Sequence, residues 1–166
     1  MYHNYFDSHV HTDNSNGGKH KITFLCEEAI NKGMTGFAVT DSFSCDSPDA
    51  HLDNSIRNSV MDVRRALVAF HRDLVITSGI ELGQPLYNLE VCENILKACP
   101  YDFVLAALHR DKEHPSFKEL NFRNLSFQEI DQCLDGYYNE MVKMVKWGGF
   151  DALAHLTFPL NRIEGV

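Results

Sequence analysis

The chain has 166 residues, 44% of them hydrophobic, and its 15 Lys and Arg against 23 Asp and Glu leave a formal net charge of −8. That length makes one domain, able to bury roughly two-thirds of the surface its unfolded form exposes, so neither disulfides nor a structural metal is needed for folding. An acidic balance without basic clusters excludes a protein that wraps nucleic acid or coats anionic lipid, since both require dense positive charge, and leaves small anionic substrates open.

Apolar periodicity alternates between strand and helix along the chain. Residues 6–10 read as a strand, followed by a polar loop and a helix over residues 23–31 that closes near Gly33. A second strand covers residues 36–40. The stretch DSFSCDSPDA reads as a loop in which Ser47, Pro48 and Asp49 are turn formers. Val60, Val63, Leu67 and Phe70 then recur at helical spacing in a helix over residues 55–70. A third strand is expected over residues 74–80, a helix over 88–98 stopped by Pro100, and a fourth strand over 102–108. Ser126 with Glu129 three positions on is a capping box opening a long helix over residues 127–146, and Trp147-Gly148-Gly149 leads out of it into a fifth strand over 150–154.

Strands alternating with helices imply βαβ units with a parallel sheet and right-handed crossovers. An eight-unit barrel takes roughly 250 residues, so about five units predict an α/β fold that is an incomplete TIM-like barrel. No apolar run approaches the roughly 20 residues that span a bilayer. The polar start lacks the charged and apolar regions of a signal peptide, and the expectation is a cytoplasmic protein. The five cysteines are odd in number and form no CxxC pair, which favours reduced thiols over a disulfide framework or a thiolate zinc site.

The polar residues at the strand ends carry the chemistry. His9 and His11 lie two apart, so strand geometry turns both imidazoles the same way. Glu81 follows the third strand in SGIELG, His109 ends the fourth in AALHR, and His155 ends the fifth in ALAHL. Singly, each is explained as a boundary hydrogen-bonding residue or a solvated group. Together they place nitrogen and oxygen donors that suit zinc, manganese or iron at the strand edge where parallel α/β proteins gather their sites.

The ordered segments DSHVHTD, GFAVTDS, SGIELG, FVLAALH and FDALAHLTFPLNR resemble the polymerase and histidinol phosphatase (PHP) superfamily, and look most like its histidinol-phosphatase branch. The resemblance runs over the whole chain. It implies a distorted (β/α)7 barrel holding up to three metals and hydrolysing a phosphate ester. His9 and His11 would ligate one metal, Glu81 would bridge two, and His109 with His155 would complete another site. The implied cofactors are one or two divalent transition metals, and the implied partner is a small phosphorylated substrate such as L-histidinol phosphate, an intermediate of histidine biosynthesis.

Three departures stand out. Ser42 follows Thr40-Asp41 where the family has a histidine, Gly17 stands where it commonly has a histidine or aspartate, and its last Asp-x-His motif would fall past residue 166. Residues 1–166 are therefore expected to be a single domain of this type, truncated at its C-terminal end. Asp41 is a candidate for the catalytic site as a carboxylate orienting a ligand histidine, or else a cap on the next loop. Arg110, Arg162 and His20 are candidate phosphate contacts, because guanidinium grips phosphate with two parallel bonds; each is alternatively a solvated surface group. The polar loop over residues 110–124 is a candidate lid or specificity element, with His114 not expected to be a ligand. The competing reading is a catalytically impaired relative that binds metal or ligand and folds as a homo-oligomer covering an open barrel edge.

Overall fold

The computed structural model describes residues 5–46 and 52–163. Five βα units follow one another: β1 (Phe6–Val10) and α1 (Ile22–Asn31), β2 (Gly36–Val39) with a short β3 (Ser42–Ser44) and α2 (Leu52–Phe70), β4 (Val75–Gly83) and α3 (Leu89–Ala98), β5 (Phe103–Ala107) and α4 (Phe127–Trp147), and β6 (Ala152–Leu153) with α5 (Leu160–Ile163). Every pairing is parallel, in the order β1-β2-β4-β5-β6, with β3 beside the end of β4. Strands laid side by side in chain order, each returning through a helix, make a curled half-barrel, as the alternation predicts.

Helix ends follow local chemistry. Ser126 accepts from the Glu129 N–H while the Glu129 carboxylate accepts from the Ser126 N–H at 2.7 Å, so the expected capping box opens α4. Gly148, at φ +66°, ends it in the left-handed conformation that a side chain disfavours.

The strand boundaries differ where pairing overrides propensity. β4 runs three residues beyond its expected end because Glu81, Leu82 and Gly83 are bonded to β3 on one side and β5 on the other. The fifth expected strand shrinks to Ala152–Leu153, which among the described residues has β5 as its neighbour on one side only. Ser42–Ser44, read as loop, is drawn into strand by the overhanging end of β4. The turn formers Ser47, Pro48 and Asp49 lie outside the described residues.

Each helix seals one part of the sheet. Cys26 and Ala29 of α1 and Val63 and Ala66 of α2 cover Phe37 and Val39, while Cys92 and Ile95 of α3 cover Ile80 and Leu82. Cys133, Tyr137, Met141 and Met144 of α4 pack on Ala106 and on Phe117 and Phe122 from the loop after β5. All five cysteines are free thiols, and no helix among the described residues is long and apolar enough to cross a membrane.

Phe117 is fully buried, whereas Phe127, the first residue of α4, is 83% exposed. Phe117→Ala is expected to cost about 3 to 5 kcal/mol in a denaturant titration, and Phe127→Ala less than about 0.5 kcal/mol.

Candidate functional site

The strand ends meet around one carboxylate. Glu81, 1% exposed near the end of β4, lies 3.5 Å from His11 Nε2, 3.4 Å from His109 Nε2 and 3.1 Å from His155 Nε2. His9 packs edge-on against His11 at 4.8 Å between ring centres, and His109 lies 5.0 Å from His155. Thus β1 supplies His9 and, just past its end, His11, β4 supplies Glu81, and the segments after β5 and β6 supply His109 and His155. The five candidate ligands are brought together as two groups sharing Glu81: His9, His11 and Glu81, and Glu81, His109 and His155. Within each group one donor atom per residue lies within 4.8 Å of the others.

Electrostatics favour donor states. Burial alone pushes the Glu81 carboxyl up. Hydrogen bonds from His109 and His155, the His109 charge and the Ser42 hydroxyl outweigh it and hold the group well below the usual carboxylate range. His9 is lowered mainly by burial, with His11 and His155 adding repulsion against the opposing pull of Glu81, so it tends to stay neutral. The Nδ1 atoms of His11 and His155 are buried without a hydrogen-bond partner among the described residues. Imidazole nitrogens and an ionised carboxylate form a donor set that fits zinc, manganese or iron.

Two of the residues around this centre hold strained backbone. Gln84 has φ +51° and His155 φ +24°, conformations that cost of order 1 to 3 kcal/mol and cluster at functional sites. The Gln84 side-chain oxygen accepts from the backbone N–H groups of His109 (3.1 Å) and Arg110 (3.2 Å), fixing the segment that carries His109.

Asp41 is buried but bonds to no ligand histidine. Its carboxylate accepts from the Thr12 N–H (2.6 Å) and hydroxyl (2.7 Å), the Ser15 hydroxyl (2.9 Å) and the Ser59 hydroxyl (2.6 Å), and its carbonyl accepts from the Glu81 N–H. It ties the loop after β1 to α2 and to the backbone of Glu81. The residue that orients a histidine is its neighbour Thr40, whose Oγ1 lies 2.8 Å from His9 Nδ1. Sequence reasoning passed over Thr40 because a threonine ending a strand is an ordinary strand residue.

The expected phosphate contacts separate. The centre sits in a cleft of about 860 Å³ whose lining includes Arg110 but neither His20 nor Arg162. His20 is exposed and packs on Phe24, and Arg162 is exposed over the Phe158 ring, so short range in sequence carried neither into the site. Arg110 is already engaged: Nη2 and Nε donate to Asp46 at 2.6 and 3.2 Å, and Nη1 donates to the carbonyls of Asp111 and His114. His114 lies off the lining, its Nδ1 2.9 Å from Asp111 and its Nε2 3.5 Å from Cys133 Sγ. The loop after β5 is therefore anchored to α4 and to the cleft wall.

The two substitutions at expected ligand positions also have a local account. Ser42 pairs with Glu81 in register and its hydroxyl bonds to that carboxylate. At Gly17, a Cβ would stand 2.8 Å from His11 Cδ2, so the absence of a side chain is what lets the His11 ring lie there.

The structure is similar to that of the histidinol phosphate phosphatase of Lactococcus lactis subsp. lactis Il1403 solved with zinc, L-histidinol and phosphate. The TM-score is 0.75 at 16% identity, over 94% of this chain and 59% of that one. The chain thus spans about three-fifths of that protein's length, and the likeness is one of fold. No curated protein matches the sequence. The PHP domain model matches residues 7–165, nearly the whole chain, and on that match the protein belongs to the PHP domain family.

Proposed function

We propose that the protein is a metal-dependent phosphomonoester hydrolase that uses one or two divalent transition metals, zinc, manganese or iron, on a small substrate of the histidinol phosphate kind. The observation that carries this reading is the single buried carboxylate of Glu81 shared by two groups of three donors. The family match and the fold likeness to a phosphatase that binds L-histidinol and phosphate support it.

His9, His11 and Glu81 would hold one metal, and Glu81, His109 and His155 a second. Metals bound there supply Lewis acidity, drawing charge from phosphoryl oxygens and lowering the pKa of a water toward about 7. The chain's own residues arrange the rest. With its proton on Nδ1 and donated to Thr40 Oγ1, His9 keeps the Nε2 lone pair free to coordinate. His109 and His155, with a smaller contribution from the Ser42 hydroxyl, keep the Glu81 carboxylate ionised between the two groups. Nothing in this scheme requires a protein nucleophile.

A second reading, a relative with impaired catalysis that pairs through its sheet edge, draws on two observations. Ser42 and Gly17 supply no metal donor of the kind the family resemblance implies, and among the described residues β1 and β6 each have a strand neighbour on one side only, with Phe6 of β1 exposed. Sedimentation separates the pairing claim: a stable monomer at micromolar concentration removes it.

Purified protein supplied with Mn²⁺, Zn²⁺ or Fe²⁺ is expected to release phosphate from L-histidinol phosphate, and His9→Ala and Glu81→Gln to lose at least about 100-fold in kcat/KM together with bound metal measured by plasma emission. Equal rates for wild type and His9→Ala would place any phosphate release outside this centre. Adjacent residues should then divide by role. Thr40→Val is expected to weaken metal binding about 10- to 100-fold with a small change in apo-protein stability. Asp41→Ala, which orphans three buried donors and a partly buried fourth, is expected to cost about 3 kcal/mol or more in denaturant unfolding.

A further inference from the structure

Besides its histidines, the cleft is lined by two cationic side chains, Arg110 and Lys118. Their situations are opposite. Both Nε and Nη2 of Arg110, the edge that would grip a phosphate with two parallel bonds, are spent on Asp46, and Nη1 is spent on two loop carbonyls. Asp46 is itself held by the Ser44 hydroxyl at 2.5 Å, and its side chain is 14% exposed. Turning Arg110 to a phosphate would leave that carboxylate unpaired beside a second anion, two like charges at the mouth of one cleft.

The Lys118 ammonium carries no such debt. Lys118 is exposed, lines the cleft and has no ion-pair partner among the described residues, Glu119 beside it included. Its backbone is nonetheless fixed. Phe117, fully buried, packs against Phe122 and Tyr137, and its N–H donates to the carbonyl of His109 at 3.0 Å. Ser116 and Lys118, on either side of this anchor, both line the cleft. Arg110 closes the same loop from the other end through the His114 carbonyl.

We propose that Lys118 is the side chain that draws the substrate's phosphate group into the cleft, and that Arg110 serves as the clamp holding the Lys118 loop in place. The proposal rests on the phosphomonoesterase reading above. A compact, mobile ammonium on a four-carbon stem suits capture of a phosphate dianion without imposing the fixed planar geometry of guanidinium. Its loss should therefore raise KM and leave kcat nearly unchanged.

The test is calorimetric titration of inorganic phosphate into Mn²⁺-loaded wild type, Lys118→Met, Lys118→Arg and Asp46→Asn, with KM and kcat measured on L-histidinol phosphate alongside. Lys118→Met is expected to weaken phosphate binding at least tenfold and raise KM to match, with kcat within twofold and an unchanged melting temperature. Lys118→Arg should restore binding to within threefold, and Asp46→Asn should bind phosphate no more tightly than wild type. Wild-type affinity in Lys118→Met, or no phosphate binding by wild type, overturns the proposal. Several-fold tighter binding in Asp46→Asn also overturns it, because Arg110 would then be the contact that Asp46 withholds. Phosphate binding that depends on Lys118 in a protein that hydrolyses no monoester would keep this inference and remove the hydrolase reading; hydrolysis untouched by Lys118→Met would do the reverse.

Discussion

A carboxylate that is 1% exposed is the constraint around which this chain is arranged. An isolated buried charge costs several kcal/mol, so it persists only where donors or opposite charges surround it. Glu81 meets that demand with imidazoles from three strand ends and a hydroxyl from a fourth. Each of those groups arrives on a different βα unit, so the ionised state of one side chain depends on the register of most of the sheet.

That register is enforced by polar ties as much as by apolar burial. The Asp41 side chain joins the loop after β1 to α2, and its carbonyl receives the Glu81 N–H. Gln84 and Arg110 tie the end of β4 and the loop after β5 to each other and to the cleft wall. On the far side, Asp111 and His114 reach Cys133 on α4, and Gly136 leaves the space that Asp111 fills, since a Cβ there would stand 2.8 Å from its carboxylate. The long polar loop after β5, the candidate lid or specificity element, is anchored by two buried phenylalanines, Phe117 and Phe122. Site rigidity of this kind keeps ligands close to the geometry they need before anything binds.

Much of this was legible in the residues. The period-two and helical patterns located every unit, the Ser126–Glu129 box and Gly148 marked the ends of α4, and the five candidate ligands stood out because each closes a strand. The misreadings share one cause. Thr40, the length of β4, the strand at Ser42–Ser44 and the engagement of Arg110 all depend on partners 31 to 64 positions away or on two-sided strand pairing, which local propensity does not encode. His20 and Arg162 lie off the lining of the cleft for the same reason: a basic side chain near a motif in sequence need not face the same cleft.

Taken by itself, the sequence determined the order of strands and helices apart from β3 and α5, the parallel half-barrel and which side chains stand at the strand ends, because periodicity and capping are local properties that need no knowledge of distant partners. The tertiary structure alone decided that Asp41 braces loops where Thr40 holds His9, and that Arg110 is bound to Asp46 while Lys118, which lines the cleft, has no ion-pair partner among the described residues. Those outcomes follow from burial and from competition among charges for partners, and both exist only once the strands lie side by side.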